Sequence, residues 1–216
     1  RERQSNSSFG LRPLVTGCAL VAVFVYCLGP LSAPLRASMA VHRAQLALFR
    51  ADPVAAEVEL ARAIKLDPRN GYYAESMAFL HEQGGFHESS FDEIDRAARL
   101  QPGIPYVALK AAKSAFLVNR LDTAESWYEH AVDSDPNGVT AITGAAAFHA
   151  RTGSPDRAAD LLESFEWLRS PRTASWKTAA DAYEYLGVKD HAVHLRRCAD
   201  PWWEEVGCFD DSMMQD

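Results

Sequence analysis

The sequence has no run of basic residues longer than Arg196-Arg197, and its formal charge is −7. A nucleic-acid binder needs a basic face to release counterions from phosphates, so nucleic acid is not expected as a partner. Cysteine is scarce. Cys18, Cys27, Cys198 and Cys208 make no CxxC pair and no CxxCH for covalent haem. Catalytic signatures are missing as well: there is no GxSxG and no HExxH, and Gly84-Gly85 is too isolated to cradle a phosphate. Ser, His and Asp are scattered without a triad pattern. The expectation is a protein that is not an enzyme and holds no cofactor and no metal.

Charge is also missing from one long stretch. Between Arg12 and Arg36 the chain reads PLVTGCALVAVFVYCLGPLSAPL, 23 residues without a charged side chain. As a helix it would reach about 35 Å at 1.5 Å per residue, enough for a hydrocarbon core of about 30 Å. Residues 1–12 are a polar flank, 13–36 the expected transmembrane helix. A signal peptide cut near Leu31-Ser32-Ala33 is the competing reading, with Pro34 against it. Val15-Thr16-Gly17-Cys18 looks like a lipoprotein box, but nothing apolar precedes Leu11. The N-terminal flank carries Arg1, Arg3 and Arg12, and the C-terminal flank carries Arg36, Arg43 and Arg50, more widely spread. That leans the N-terminus towards the cytoplasm and the rest outside, in a periplasm-like space.

What is present is a ladder. Pro68, Pro102 and Pro136 lie 34 residues apart and close the segments AIKLDP, AARLQP and AVDSDP. A period of this length is that of a helix–turn–helix unit that stacks on its neighbours. Small residues keep step with the prolines: Ala44, Ala78 and Ala112, then Ala56, Ser90 and Ala124, then Ala63, Ala97 and Ala131. Helices cross closely only where side chains are short. Leu60, Ile94 and Tyr128 fill a large position late in each second helix. Gly85, Asn119 and Gly153 suit left-handed helix ends, and Asp52, Asp122 and Asp156 suit helix starts. A fourth unit is expected over Gly138–Pro171, with Ala147 and Ala159 as small positions after a one-residue longer spacing. A fifth is partial, with a second helix about a turn shorter.

These marks resemble the tetratricopeptide repeat (TPR) family. The early aromatic is replaced by Ala74 and Ala108, and the usual Leu-Gly pair is absent. The resemblance runs from about Ser38 to Pro201. It implies an all-α, right-handed α-solenoid of about five helix pairs over residues 37–201, preceded by the single transmembrane helix. It also implies that the first helix of each pair lines a concave face. By that register the face carries Tyr72, Glu75, Phe79 and Gln83, then Tyr106, Leu109, Lys113 and Phe116. Such a mixture suits an extended peptide or another protein's surface; packing between helices is the competing role for Phe79 and Phe116. The Lys and Asn cluster that holds a terminal carboxylate in some TPR proteins is not present.

The C-terminal part raises two further points. His191, His194 and Cys198 share a helix face and Cys208 follows, which are zinc-competent ligand types. Ordinary surface or core roles are the expected reading. A Cys198–Cys208 disulfide is expected if the domain lies in an oxidising compartment. Residues 202–216 form an aromatic and acidic tail in which Trp202 and Trp203 either cap the open solenoid end or dock a partner.

The function implied is a membrane-anchored, non-catalytic scaffold or accessory subunit. Its partners would be other protein subunits of a membrane complex, and the lipid bilayer through residues 13–36. Two alternatives stand beside it. The stretch ARAIKLDPRNGYYAES resembles repeats that follow the last membrane helix of polytopic O-antigen ligase-like glycan polymerases, and the chain does not begin with Met. The other is a secreted TPR binding module.

Overall fold

The computed structural model describes residues 32–167 and 173–199, and among these the chain is all helix and turn, with ten helices and no strand. They are α1 (residues 32–49), α2 (Pro53–Leu66), α3 (Gly71–Gln83), α4 (His87–Leu100) and α5 (Pro105–Leu117). Then follow α6 (Leu121–Ser134), α7 (Val139–Thr152), α8 (Pro155–Trp167), α9 (Thr173–Tyr185) and α10 (Lys189–Cys198). Odd-numbered helices open each pair and even-numbered ones close it.

Both kinds of turn repeat with the 34-residue period, and each repeat has a local cause. The turn inside a pair needs one left-handed residue, supplied by Ala51, Gly85, Asn119, Gly153 and Gly187. The next residue's N–H then reaches back to close the helix: Asp52 to the carbonyl of Ala47, Phe86 to His81, Arg120 to Ala115, Ser154 to His149 and Val188 to Tyr183, all at 2.9 Å. This is the six-to-one bond of a Schellman end. Asp52 also caps α2, accepting from the Ala55 N–H at 3.0 Å. Asp122 and Asp156 sit one step inside their helices, where their charge meets the positive helix end. Between pairs, Pro68, Pro102 and Pro136 hold the second position of a four-residue turn. Those turns are closed by Asn70 N–H to Asp67, Ile104 N–H to Gln101 and Gly138 N–H to Asp135. Proline's fixed φ suits that position, and its lack of an N–H ends the preceding helix.

The chain divides into two compact units, residues 1–73 and 74–216. In the first, α1 buries Ala37, Ala40, Val41 and Ala44, and α2 buries Ala56, Leu60 and Ala63. In the second, Ala74, Ala78, Ile94, Ala97, Val107 and Ala111 form one cluster. Phe91, Leu109, Ala112, Ala124, Tyr128, Ala131, Ala145 and Phe148 form the next. Ile142, Ala146, Leu162, Phe165, Trp176, Ala180, Leu195 and Cys198 form a third. Each large apolar side chain so buried stabilises by roughly 1.5–3 kcal/mol.

Every small position expected from the first three pairs is buried. Ser90 fits among the alanines because its hydroxyl donates 2.9 Å to the Ala78 carbonyl. The fourth pair corrects the expectation. Its small residues in register are Ala146 and Ala158, both fully buried and each 34 after its predecessor, while Ala147 is half-buried and Ala159 exposed. The period continues unbroken to Ala180 and Ala192. Pro171, one residue late, had implied a longer spacing within the helices, yet the helical register does not shift. Phe165 takes the place of the small residue at Ala131 and packs edge-on against Trp176, with ring centres 4.9 Å apart.

Among the described residues, no helix is long and apolar enough to cross a membrane. The span expected at residues 13–36 lies outside the described residues as far as residue 31, as does the tail at 202–216.

Candidate interaction groove

The second unit carries a groove of about 260 Å³ whose walls come from α3 and α5 and whose floor comes from α4. From α3 it takes Glu75, Phe79 and Glu82; from α5, Tyr106, Lys110, Lys113 and Leu117. Ala74 and Ala78 of α3 and Ala111 of α5 are buried in one cluster, and the longer side chains of the two helices line the groove beside it. Four of the expected concave residues are thus brought together: Glu75, Phe79, Tyr106 and Lys113. Phe79 and Tyr106 are 50% and 59% exposed, a large apolar area open to a partner.

The other expected positions fall differently. Leu109 is buried at 4% exposure and belongs to the core, where it closes over Gly144 on α7. A short apolar side chain at that register position is drawn inward by the hydrophobic effect rather than left on the rim. Phe116 is half-buried, packing edge-on to Phe148 at 5.7 Å with the Arg151 guanidinium 4.6 Å above its ring. Tyr72 belongs to the first unit, half-exposed and edge-on to Tyr73 at 6.2 Å. Gln83 is the exposed last residue of α3.

Two lysines give the groove its electrostatics. Lys110 donates to Glu75 at 3.0 Å and lies 4.9 Å from the centre of the Tyr106 ring. Burial pushes its pKa down, but the bonds and charges of Glu75 and Tyr106 outweigh this and leave it raised. Lys113 differs. Its amine is accessible to solvent yet flanked by the groove walls, and this burial alone lowers its pKa, with no carboxylate among the described residues offsetting it. A bound anion would relieve that cost. Lys110 escaped the sequence reading because its register position points between helices, and only its long stem carries the amine to the groove.

A second opening, of about 690 Å³, lies between α7 and α9 and is lined by Ala147, Arg151, Thr178, Asp181, Glu184 and Tyr185. Ala147 and Asp181 continue the register of Phe79 and Lys113. The Arg151 guanidinium lies 4.6 Å from the centre of the Phe116 ring and 5.5 Å from that of Tyr185. Arg196 of α10 pairs with Asp181 at 3.0 Å and with Glu184.

At the C-terminal end, Cys198 is buried and disulfide-bonded. Its expected partner Cys208 lies outside the described residues, as do Trp202 and Trp203. His194 Nε2 is 3.6 Å from the Cys198 sulfur, and His191 stacks on Tyr183 at 5.2 Å. A sulfur held in a disulfide is not a thiolate, so it is no metal ligand in this state.

No protein-family model matches the sequence, and no curated protein matches it. Solved structures do. A crystal structure of MamA protein aligns with TM-score 0.64 at 14% identity, over 81% of this chain and 96% of that one. YrrB, described as a TPR protein with an unusual peptide-binding site, aligns with TM-score 0.58 at 14% identity, over 78% of this chain and 87% of its own. A tetratricopeptide repeat protein from Parabacteroides merdae ATCC 43184 aligns with TM-score 0.65 at 11% identity, over 80% and 68%. Identities this low speak for the fold alone. The chain has the fold of a TPR-like helical repeat protein.

Proposed function

We propose that this protein is a non-catalytic scaffold that holds a segment of another protein in the α3–α5 groove, and that it does so at a membrane as an accessory subunit of a larger complex. The observation that carries the reading is the groove lining, in which Lys113, with no ion pair among the described residues, lies alongside the exposed rings of Phe79 and Tyr106. The occupant this chemistry favours is an extended segment with an acidic side chain for Lys113 and apolar side chains for the two rings. The peptide-binding site named for YrrB lends the fold a precedent. The membrane part of the reading is supported by the charge-free stretch of residues 13–35. An oxidising, periplasm-like location is supported by the disulfide-bonded state of Cys198.

The test is photo-crosslinking in the full chain, isolated from its native membranes in mild detergent. A benzophenone amino acid is placed at Phe79 or Tyr106, and at Ser126 on α6 as a control. The expected result is one stoichiometric protein adduct from the groove positions, none from Ser126, and loss of the adduct with Lys113→Glu. Equal labelling from all three positions, or a chain that purifies alone without adducts, overturns the proposal.

A further inference from the structure

Helix α1 is apolar on two opposite sides, and only one of them is used. Ala37, Ala40, Val41 and Ala44 are buried. On the other side stand Leu35, Met39, Leu46 and Phe49, which are 65%, 50%, 43% and 91% exposed. At 100° per residue these four fall within one stripe about 80° wide, with exposed His42 among them. In later opening helices the positions matching Met39 and Leu46 are covered, while those matching Phe49, among them Leu117 at 64%, stay exposed. Val107 and Ala141 match Met39, Phe148 and Ala182 match Leu46, and all four are buried. The uncovered stripe of α1 therefore needs an occupant.

Three observations favour a lipid surface. The stripe is bordered by Arg36, Arg43 and Arg50, spaced seven apart so that they follow one edge of the helix; Arg43, half-exposed, also lies 3.8 Å from the Glu59 carboxylate. An apolar face with a cationic border is the pattern of a helix lying in a membrane interface, its arginines reaching lipid phosphates while their stems stay on the apolar side. Charge is also unevenly divided. Through residue 73 there are nine Lys and Arg against five Asp and Glu, net +4; from residue 74 on there are thirteen against twenty-four, net −11. The portion that carries the stripe is the one an anionic surface attracts. Finally, the stripe begins at Leu35, the last residue of the charge-free stretch, so no polar linker separates the two.

We infer that the outer face of α1 seats on an anionic lipid surface, Leu35, Met39, Leu46 and Phe49 entering the interface and Arg36, Arg43 and Arg50 meeting phosphates. The inference rests on the membrane reading above, and the experiment separates the two. The full chain is placed in nanodiscs of phosphatidylcholine, with and without added phosphatidylglycerol. A benzophenone amino acid is introduced at Met39, Phe49, Val23 or Ser126. Lipid adducts are expected from Met39 and Phe49, more of them with phosphatidylglycerol, and none from Ser126. Changing Arg36, Arg43 and Arg50 to Gln is expected to reduce the phosphatidylglycerol-dependent adducts by about fivefold per arginine, with the helical circular-dichroism signal unchanged.

Adducts from Phe49 to a second copy, to another stretch of the same chain, or to nothing overturn the inference. So does a lipid adduct indifferent to both phosphatidylglycerol and the arginines. If Val23 still labels lipid in those cases, the membrane reading survives alone. If neither position labels lipid, both fall.

Discussion

The Lys110 ammonium on α5 donates to the Glu75 carboxylate on α3 at 3.0 Å and rests over the Tyr106 ring, so that one cation joins both walls of the groove. The side chains are 31% and 21% exposed, which places the pair between a surface ion pair and a buried one. Exposed pairs contribute about 0.2–1 kcal/mol, and shielding from water raises the upper end. Lys110→Met is expected to lower stability by about 1 kcal/mol, largely through the Glu75 carboxylate left behind. In a double-mutant cycle with Glu75→Gln by urea unfolding, the pair should couple by about 0.5–1 kcal/mol. Simple additivity would show that the bridge does not form in solution.

The left-handed turn residues offer a second test. Four of the five are Gly or Asn, the types that enter this conformation at little cost; the fifth is Ala51, at φ 57°. Its Cβ costs roughly 1–2 kcal/mol there. Ala51→Gly should therefore stabilise the protein by about 1 kcal/mol, somewhat reduced by the added freedom of the unfolded chain. Gly153→Ala, at φ 88°, should destabilise by a similar amount. Thermal melts of the two variants check both signs.

Much of this fold was legible before any coordinates, because it rests on short side chains at fixed intervals and on turn residues with few substitutes. Ala44, Ala78 and Ala112 mark helix crossings whatever surrounds them. Register was lost where one mark, Pro171, comes 35 residues after Pro136 while the buried alanines keep to 34. The groove was only partly legible, since a repeat pattern states which way a position points but not how far its side chain reaches. Lys110 reached the groove on its long stem for that reason, whereas Leu109, in the register of Glu75, is apolar and packs into the core.

The corrected register is itself testable. Ala146 is fully buried and Ala147, next to it, is half-buried and lines the α7–α9 opening. Ala146→Leu forces extra volume into a close crossing and should cost about 1–3 kcal/mol. Ala147→Leu should stay within about 0.5 kcal/mol of the parent. Equal penalties, or the reverse order, would restore the longer spacing.

His149 is expected to weaken the fold on the acid side. It is 2% exposed on α7, and its Nδ1 has no hydrogen-bond partner among the described residues. Burial lowers its pKa; Glu125 and Glu129 pull upward, Arg157 pushes down, and burial prevails. Protonation would create a charged N–H with no acceptor in the fold, whereas in the unfolded chain the ring protonates near pH 6.5. The unfolded state thus binds the proton more readily, so stability is fully present above about pH 6.5 and is lost as pH falls towards the lowered folded value. His149→Gln has no such proton to take up. It is expected to be less stable than the parent at about pH 7.5, because the ring's packing beside Phe148 is lost. Its melting temperature should nevertheless fall less than the parent's between about pH 7 and pH 5. Parallel curves for the two proteins over that range would remove His149 as the source of the acid sensitivity.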